Sequence, residues 1–282
     1  MLPNFLIIGA QKSGTTSLFR YLETHPQVFG PHRKELDFFV EENGEWARGV
    51  SWYERQFDGA GDAIAIGEAS PSYTKFPSYA GVPARIKSVL PDVRLIYIMR
   101  DPIERMRSNY LHGLAEGVEH RPIGEALLHD SRYIDGTRYA MQLHRYGEHF
   151  DRSQFLLLTT EALNARPAET MARVLDFLGV DSSLRLHDLG VRHNAGSLKR
   201  RAPRAGWRAL GSFLITHPRA ARAVPRRVSW LQERALTTRA VRPDELMLTE
   251  DLRARLTDLI RYDVERLVPW MDAGFDGWGL LE

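Results

Sequence analysis

The sequence predicts an α/β fold, P-loop-like and three-layered, with a central, mainly parallel sheet flanked by helices. Three observations carry that expectation. Short apolar runs alternate with segments of helical spacing as far as Gly179, the pattern of βαβ units. The first run, Asn4 to Gly9, passes through a glycine-bearing turn straight into a helical segment. The most strand-like run, Val93 to Met99, ends on Arg100-Asp101-Pro102, where a new helix can start.

In chain order, Asn4 to Gly9 reads as a buried strand. Thr15 to Thr24 reads as a helix, with Leu18, Tyr21 and Leu22 at helical spacing. Ala63 to Gly67 is a second short apolar run, followed by the turn-like Ser70-Pro71-Ser72. A helix over Val82 to Leu90 is stopped by Pro91, and the strand Val93 to Met99 follows. The next helix, Pro102 to Ala115, has proline in its first turn and Asp101 placed to cap it. Met141 to Phe150 is helical, Phe155 to Thr159 is a strand, and Pro167 to Leu178 is a helix closed by Gly179. After about Asp181 no clear strand is expected; a basic loop leads into helices, the last from Thr249 to about Val268. Residues 1–282 are read as a single domain, with a core over about 4–180 and the basic loop and helical part over about 181–282.

The chain has 282 residues and no cysteine, which excludes a disulfide scaffold, a thiolate nucleophile and Cys-ligated zinc. Its apolar runs are too short for a signal peptide or a membrane span, so a cytoplasmic location is expected. The net charge of +2 is unevenly spread. Leu189 to Gln232 contains no acid but carries Arg192, Lys199, Arg200, Arg201, Arg204, Arg208, Arg219, Arg222, Arg226 and Arg227. Such a segment suits a phosphate-bearing ligand, a polyanion or weak contact with an anionic membrane surface, or else is a solvated basic face. No nucleic-acid partner is expected.

The sharpest motif is Gly9-Ala10-Gln11-Lys12-Ser13-Gly14-Thr15-Thr16-Ser17, between a strand and a helix. Backbone N–H groups converge at such a turn and the helix dipole favours an anion. Lys12 adds a point charge; Ser13, Thr15, Thr16 and Ser17 add hydroxyls. Gly9 and Gly14 have Walker A spacing, but the residue after the second glycine is Thr15 and the lysine precedes it. The loop is thus built for a phosphate-like group without a magnesium triphosphate. Arg100, at the carboxyl end of a strand, marks a second anion site, with Ser108 two turns into the following helix. Two anion sites suggest a ligand with two separated phosphates. No His/Asp/Glu grouping has metal spacing, and no metal is expected.

These residues resemble the sulfotransferases that use 3′-phosphoadenosine-5′-phosphosulfate (PAPS), in the branch of the heparan sulfate and related bacterial enzymes. Lys12 to Ser17 is similar to that family's loop for the 5′-phosphosulfate. Arg100-Asp101-Pro102, with Arg105, Ser108 and Tyr110, is similar to its 3′-phosphate motif, in which the arginine and serine bind phosphate. Lys34-Glu35-Leu36-Asp37-Phe38-Phe39 looks like the acceptor-side motif whose glutamate is the general base, and Glu68-Ala69-Ser70-Pro71-Ser72-Tyr73 resembles a segment beside the active site. The resemblance runs through residues 4–180, with a weaker echo at His193-Asn194, in the basic loop and toward Trp278. Two positions depart from it: Ala69 stands where a lysine is usual, and Asp37 where a histidine is frequent. Both bear on a highly sulfated glycan acceptor and leave the donor site untouched.

The resemblance implies transfer of a sulfuryl group from PAPS, with PAP as product, to a hydroxyl or amine of a carbohydrate, lipid or small molecule. It implies Glu35 as general base and Lys12 as the charge on the leaving phosphate oxygen. Lys199 and Arg200 are candidates for a loop folded over the donor. Two other readings stay open on the residues: a P-loop-type small-molecule kinase, and a non-catalytic nucleotide- or polyanion-binding module in which Glu35 is dispensable.

Overall fold

The computed structural model describes residues 1–184, 200–201 and 239–281. Its strands are β1 (Phe5–Gly9), β2 (Val28–Phe29), β3 (Ala65–Ala69), β4 (Arg94–Met99), β5 (Phe155–Thr159), β6 (Arg200–Arg201) and β7 (Arg239–Ala240). The helices used below are α1 (Thr15–Glu23), α2 (Val50–Arg55), α3 (Val82–Val89), α4 (Pro102–Glu116), α5 (Ile123–His129), α6 (Ser131–Asp135), α7 (Tyr139–Gly147), α8 (Thr160–Ala165), α9 (Pro167–Leu178) and α10 (Glu250–Leu267).

Five parallel strands form the central sheet in the order β2-β3-β1-β4-β5. Every residue of β1 is buried, as expected of a parallel strand covered on both faces. Its side chains alternate between two cores. Leu6 and Ile8 join Leu95, Tyr97 and Met99 beneath α3 and α7. Phe5 and Ile7 join Ile96 and Ile98 beneath α1 and α9. This gives the three layers expected. A third core packs α4, α5 and α10 together, with Ile103, Met106, Leu256 and Ile260 at its centre.

The strand order positions the site. The chain lays β3 on one side of β1 and then crosses to lay β4 on the other. The carboxyl end of β1 is therefore a topological switch point, where connections diverge and leave a crevice. The Lys12 loop begins there, and Arg100 follows the adjacent strand β4.

Two expectations need correction. The second apolar run forms a strand two residues later than read, Ala65–Ala69. Asn4 anchors its start, donating to the Ile64 carbonyl at 2.7 Å and accepting from Ile66 N–H at 2.9 Å. Glu68, which falls just past the run as read, lies within the strand because hydroxyl donors surround its carboxylate. The region after Asp181 does contain strand: β6 and β7 pair antiparallel, Arg200 opposite Ala240. Two-residue strands carry no periodicity and leave no sequence signal. Among the described residues, no helix is long and apolar enough to cross a membrane.

Candidate active site

Gly9 is required where β1 turns into the loop. Its φ is 156°, and a Cβ there would run into the Thr74 hydroxyl and the Tyr97 ring. Gly14 precedes α1 in the left-handed region at φ 87°, which suits glycine. The first intrahelical bond runs from Leu18 N–H to the Gly14 carbonyl at 3.0 Å, so the N–H groups of Thr15 and Thr16 point past the helix end. Lys12 also has positive φ, 71°, a strained setting for a side chain that has to face a particular point. Ser13 is fully buried, its hydroxyl beside that of Tyr139. Such a buried hydroxyl at a loop with outward N–H groups fits an oxyanion. Thr160 of α8 fixes the loop to the end of β4, its Oγ1 lying 2.6 Å from the Ser13 carbonyl and 2.9 Å from that of Met99.

The second anion site expected from the sequence falls at the start of α4. Asp101 caps the helix as expected, accepting from Ile103 N–H at 2.8 Å and Glu104 N–H at 3.1 Å. Arg100 lies 3.7 Å from Glu104, and that one carboxylate is shared with Arg107 at 2.9 Å and Arg253 at 3.5 Å. Three guanidinium groups around one carboxylate leave net positive charge, which suits a phosphate. Ser108 lies one turn beyond Glu104. Arg105, one position after Glu104, is turned elsewhere: it is buried and donates through Nε to the Gly136 carbonyl at 3.0 Å.

Lys34 ties the segment from Lys34 to Phe39 to the loop. Its Nζ is 2.7 Å from Thr16 Oγ1 on α1 and 2.8 Å from Glu35 Oε1. Glu35 thus sits one side chain from the phosphate loop, and 44% of its own side chain is exposed. Glu35 and Asp37 both have positive φ, 56° and 52°, a conformation that persists only when neighbours over-determine it.

Glu68 supplies that determination. Its buried carboxylate accepts from Tyr53 at 2.9 Å, Ser70 at 2.6 Å and Tyr73 at 2.7 Å, and Ser70 Oγ in turn accepts from Asp37 N–H at 3.0 Å. Burial raises the Glu68 carboxyl, with the hydroxyls pulling the other way. A raised carboxyl favours the fold most below its unfolded value and loses that contribution as pH rises through the folded one. Glu68→Ala strands three hydroxyls, and we expect it to cost about 2–5 kcal/mol, read as a lower urea midpoint at unchanged slope. An unshifted midpoint would show that the carboxylate does not hold this segment.

The structure therefore brings Lys12, Ser13, Gly14, Thr15, Thr16, Ser17 and Glu35 together on one crevice, with Arg100 and Ser108 at the neighbouring strand end. Lys199 lies outside the described residues, as do His193 and Asn194; for Arg200 only the backbone is described, in β6 against α4. Sequence reasoning missed Lys75. Burial lowers its ammonium, against the pull of Asp37; the Arg105 charge lowers it further and Glu35 raises it. Its one sequence signal is a lysine placed two residues past Tyr73, in a segment already singled out.

A model described as the sulfotransferase family matches residues 3–183. The human heparan sulfate glucosamine 3-O-sulfotransferase 3B1 is 32% identical over 189 residues, 64% of this chain and 46% of that protein. The membrane-associated sulfotransferase kil1 of Dictyostelium discoideum is 40% identical over 112 residues, 39% of this chain and 22% of that protein. The chain therefore spans less than half the length of these curated relatives. A sulfotransferase from Alicyclobacillus acidocaldarius has a similar structure, with a TM-score of 0.70, 25% identity and 99% of both chains covered. A mouse sulfotransferase, SULT7A1, solved in complex with PAP, shares the fold at a TM-score of 0.50 and 13% identity.

Proposed function

Because this chain belongs to the sulfotransferase family, we propose that it moves a sulfuryl group from PAPS to a hydroxyl or amine of a carbohydrate, lipid or small-molecule acceptor. One observation carries the reading: two anion-ready strand ends lie side by side at the switch point, and Lys34 ties a carboxylate, Glu35, to the first of them.

Each residue then has a role. The loop from Lys12 to Ser17 holds the 5′-phosphate through backbone N–H groups and hydroxyls. Arg100 and Ser108 hold the 3′-phosphate. PAPS brings a sulfur activated by a phosphate leaving group. Glu35 accepts the proton of the acceptor hydroxyl as the new O–S bond forms and the S–O bond to the 5′-phosphate breaks. Lys12 neutralises the charge that collects on the phosphate oxygen, and PAP leaves. The protein's work is positioning and charge neutralisation, as in phosphoryl transfer. Lys199 and Arg200 are proposed to close over the donor; the nearness of the β6 backbone to α4, which carries Ser108, supports this. A kinase reading is disfavoured by Thr15 at the Walker lysine position.

The donor assignment has a direct test. Arg100→Ala should weaken PAP about 10- to 100-fold, the size of one charge-assisted interaction, and leave adenosine 5′-phosphate within about twofold. Titration calorimetry with both nucleotides reads this. Equal losses would remove the 3′-phosphate from Arg100.

A further inference from the structure

A cavity of about 290 Å³ opens beside the phosphate loop. Gln11, next to Lys12, lines one end; Lys75, Arg105, Asn109, His112 and Tyr133 line the rest. Arg105, Asn109 and His112 fall on one face of α4 at helical spacing, with Ser108 at the edge of that face. The cavity meets the loop at Gln11, and neither Arg100 nor Ser108 lines it.

Its charge is unusual. Arg105 is only 2% exposed, and its Nη1 makes no hydrogen bond. Among the described residues it has no carboxylate partner; its Nε bonds a backbone carbonyl instead. Arginine is almost never buried without a counter-charge, because the loss of hydration is uncompensated. Lys75, mostly buried too, makes no ion pair among the described residues; its ammonium lies 5.7 Å from the Tyr79 ring centre. Two acids line the same cavity, but both are already engaged. Glu119 is bonded by Arg121 at 2.6 Å and Tyr133 at 3.0 Å, and Asp135 pairs with Arg138 at 3.4 Å. Arg132, also on the wall, is bonded to Asp130 at 2.6 Å. Arg105 therefore remains without an anion, and Lys75 feels the charge of Asp37 without a direct ion pair among the described residues.

We propose that this cavity is the acceptor subsite, and that the acceptor is a compact hydroxyl compound carrying a carboxylate or similar oxyanion, held by Lys75 and Arg105. This rests on the sulfuryl-transfer reading for its hydroxyl half; the anion half stands on the cavity alone. Lys75 joins the halves, since its ammonium feels the charges of both Glu35 and Arg105. The volume suits a single ring or sugar unit rather than a polymer. With the anion at Arg105, the acceptor hydroxyl is directed toward Gln11 and Glu35. It attacks sulfur, its proton passes to Glu35, and the S–O bond to the 5′-phosphate breaks.

The test uses 4-hydroxybenzoate and its neutral counterpart 4-hydroxybenzamide, titrated into the whole protein with and without saturating PAP. The carboxylate should bind about 10- to 100-fold tighter than the amide. Lys75→Met and Arg105→Lys should each cut that preference to a few-fold or less, with PAP affinity kept within about twofold. If Arg105→Lys fails to fold, Lys75→Met decides. Equal binding of the two probes, binding of neither, or a preference that survives the substitutions overturns the proposal. Failure of the wild type to bind PAP would sink the donor reading instead, and the PAP-free titrations would then judge the anion subsite on their own.

Discussion

Glu35→Gln will lower kcat by about 10²–10⁴-fold, the range of one general base, while PAP still binds within about twofold of wild type. Glutamine keeps the shape of the side chain but cannot take a proton. The donor contacts proposed here come from the Lys12 loop and from Arg100 and Ser108, which the substitution does not touch. The loss should therefore fall on kcat and spare the KM for donor, because a base acts in the transition state and not in the ground state. Lys34 complicates the picture in a useful way. It pairs with Glu35 and also bonds Thr16, so removing the carboxylate leaves the ammonium on the loop. An effect on donor binding would then be a slight gain and not a loss. Rates with an acceptor that ionises easily give an internal control: such an acceptor needs no base and should be slowed far less. Near-wild-type kcat with an ordinary alcohol would make Glu35 a surface carboxylate and send the search for a base to Asp37 or Glu68.

What was legible in the sequence was whatever one short segment decides by itself. β1 and β4 read correctly because a strand buried on both faces is a continuous apolar run. The start of α4 read correctly, cap included, because Asp101 and Pro102 do their work within one turn. What stayed hidden depends on partners distant in sequence. β2 is two residues long and exists because β3 lies beside it. Glu68 sits inside β3 because Tyr53 and Tyr73 reach it from other elements, so the bounds of that run were placed two residues early. Glu35 is a loop carboxylate on sequence grounds; its nearness to the phosphate loop hangs on Lys34 and Thr16, eighteen positions apart. The resemblance supplied Glu35, whereas the cavity of Lys75 and Arg105 needed the fold. Arg105 was grouped with the phosphate motif, and the structure buries it against the Gly136 carbonyl instead.

Lys12→Ala should differ from Glu35→Gln in kind. In the role proposed above the charge of Lys12 faces the nucleotide before and during transfer, so its removal should weaken donor binding about tenfold and lower kcat by a further factor of about 10²–10³. The two losses arise from one interaction that strengthens as charge builds on the leaving oxygen, and only the strengthening appears in kcat. A backbone effect has to be separated from the charge, because Lys12 holds a positive φ of 71°. Alanine keeps the strain of that conformation and glycine relieves it. Lys12→Gly should therefore be as slow as Lys12→Ala while the protein is the more stable of the two. Lys12→Arg keeps a charge but spreads it over a planar fork, and it should recover donor binding more fully than rate. Recovery of kcat by Lys12→Gly would locate the defect in the loop's conformation. Wild-type kcat in Lys12→Ala would remove Lys12 from the leaving oxygen, and the neutralising charge would then have to come from Lys34, which already touches the loop at Thr16.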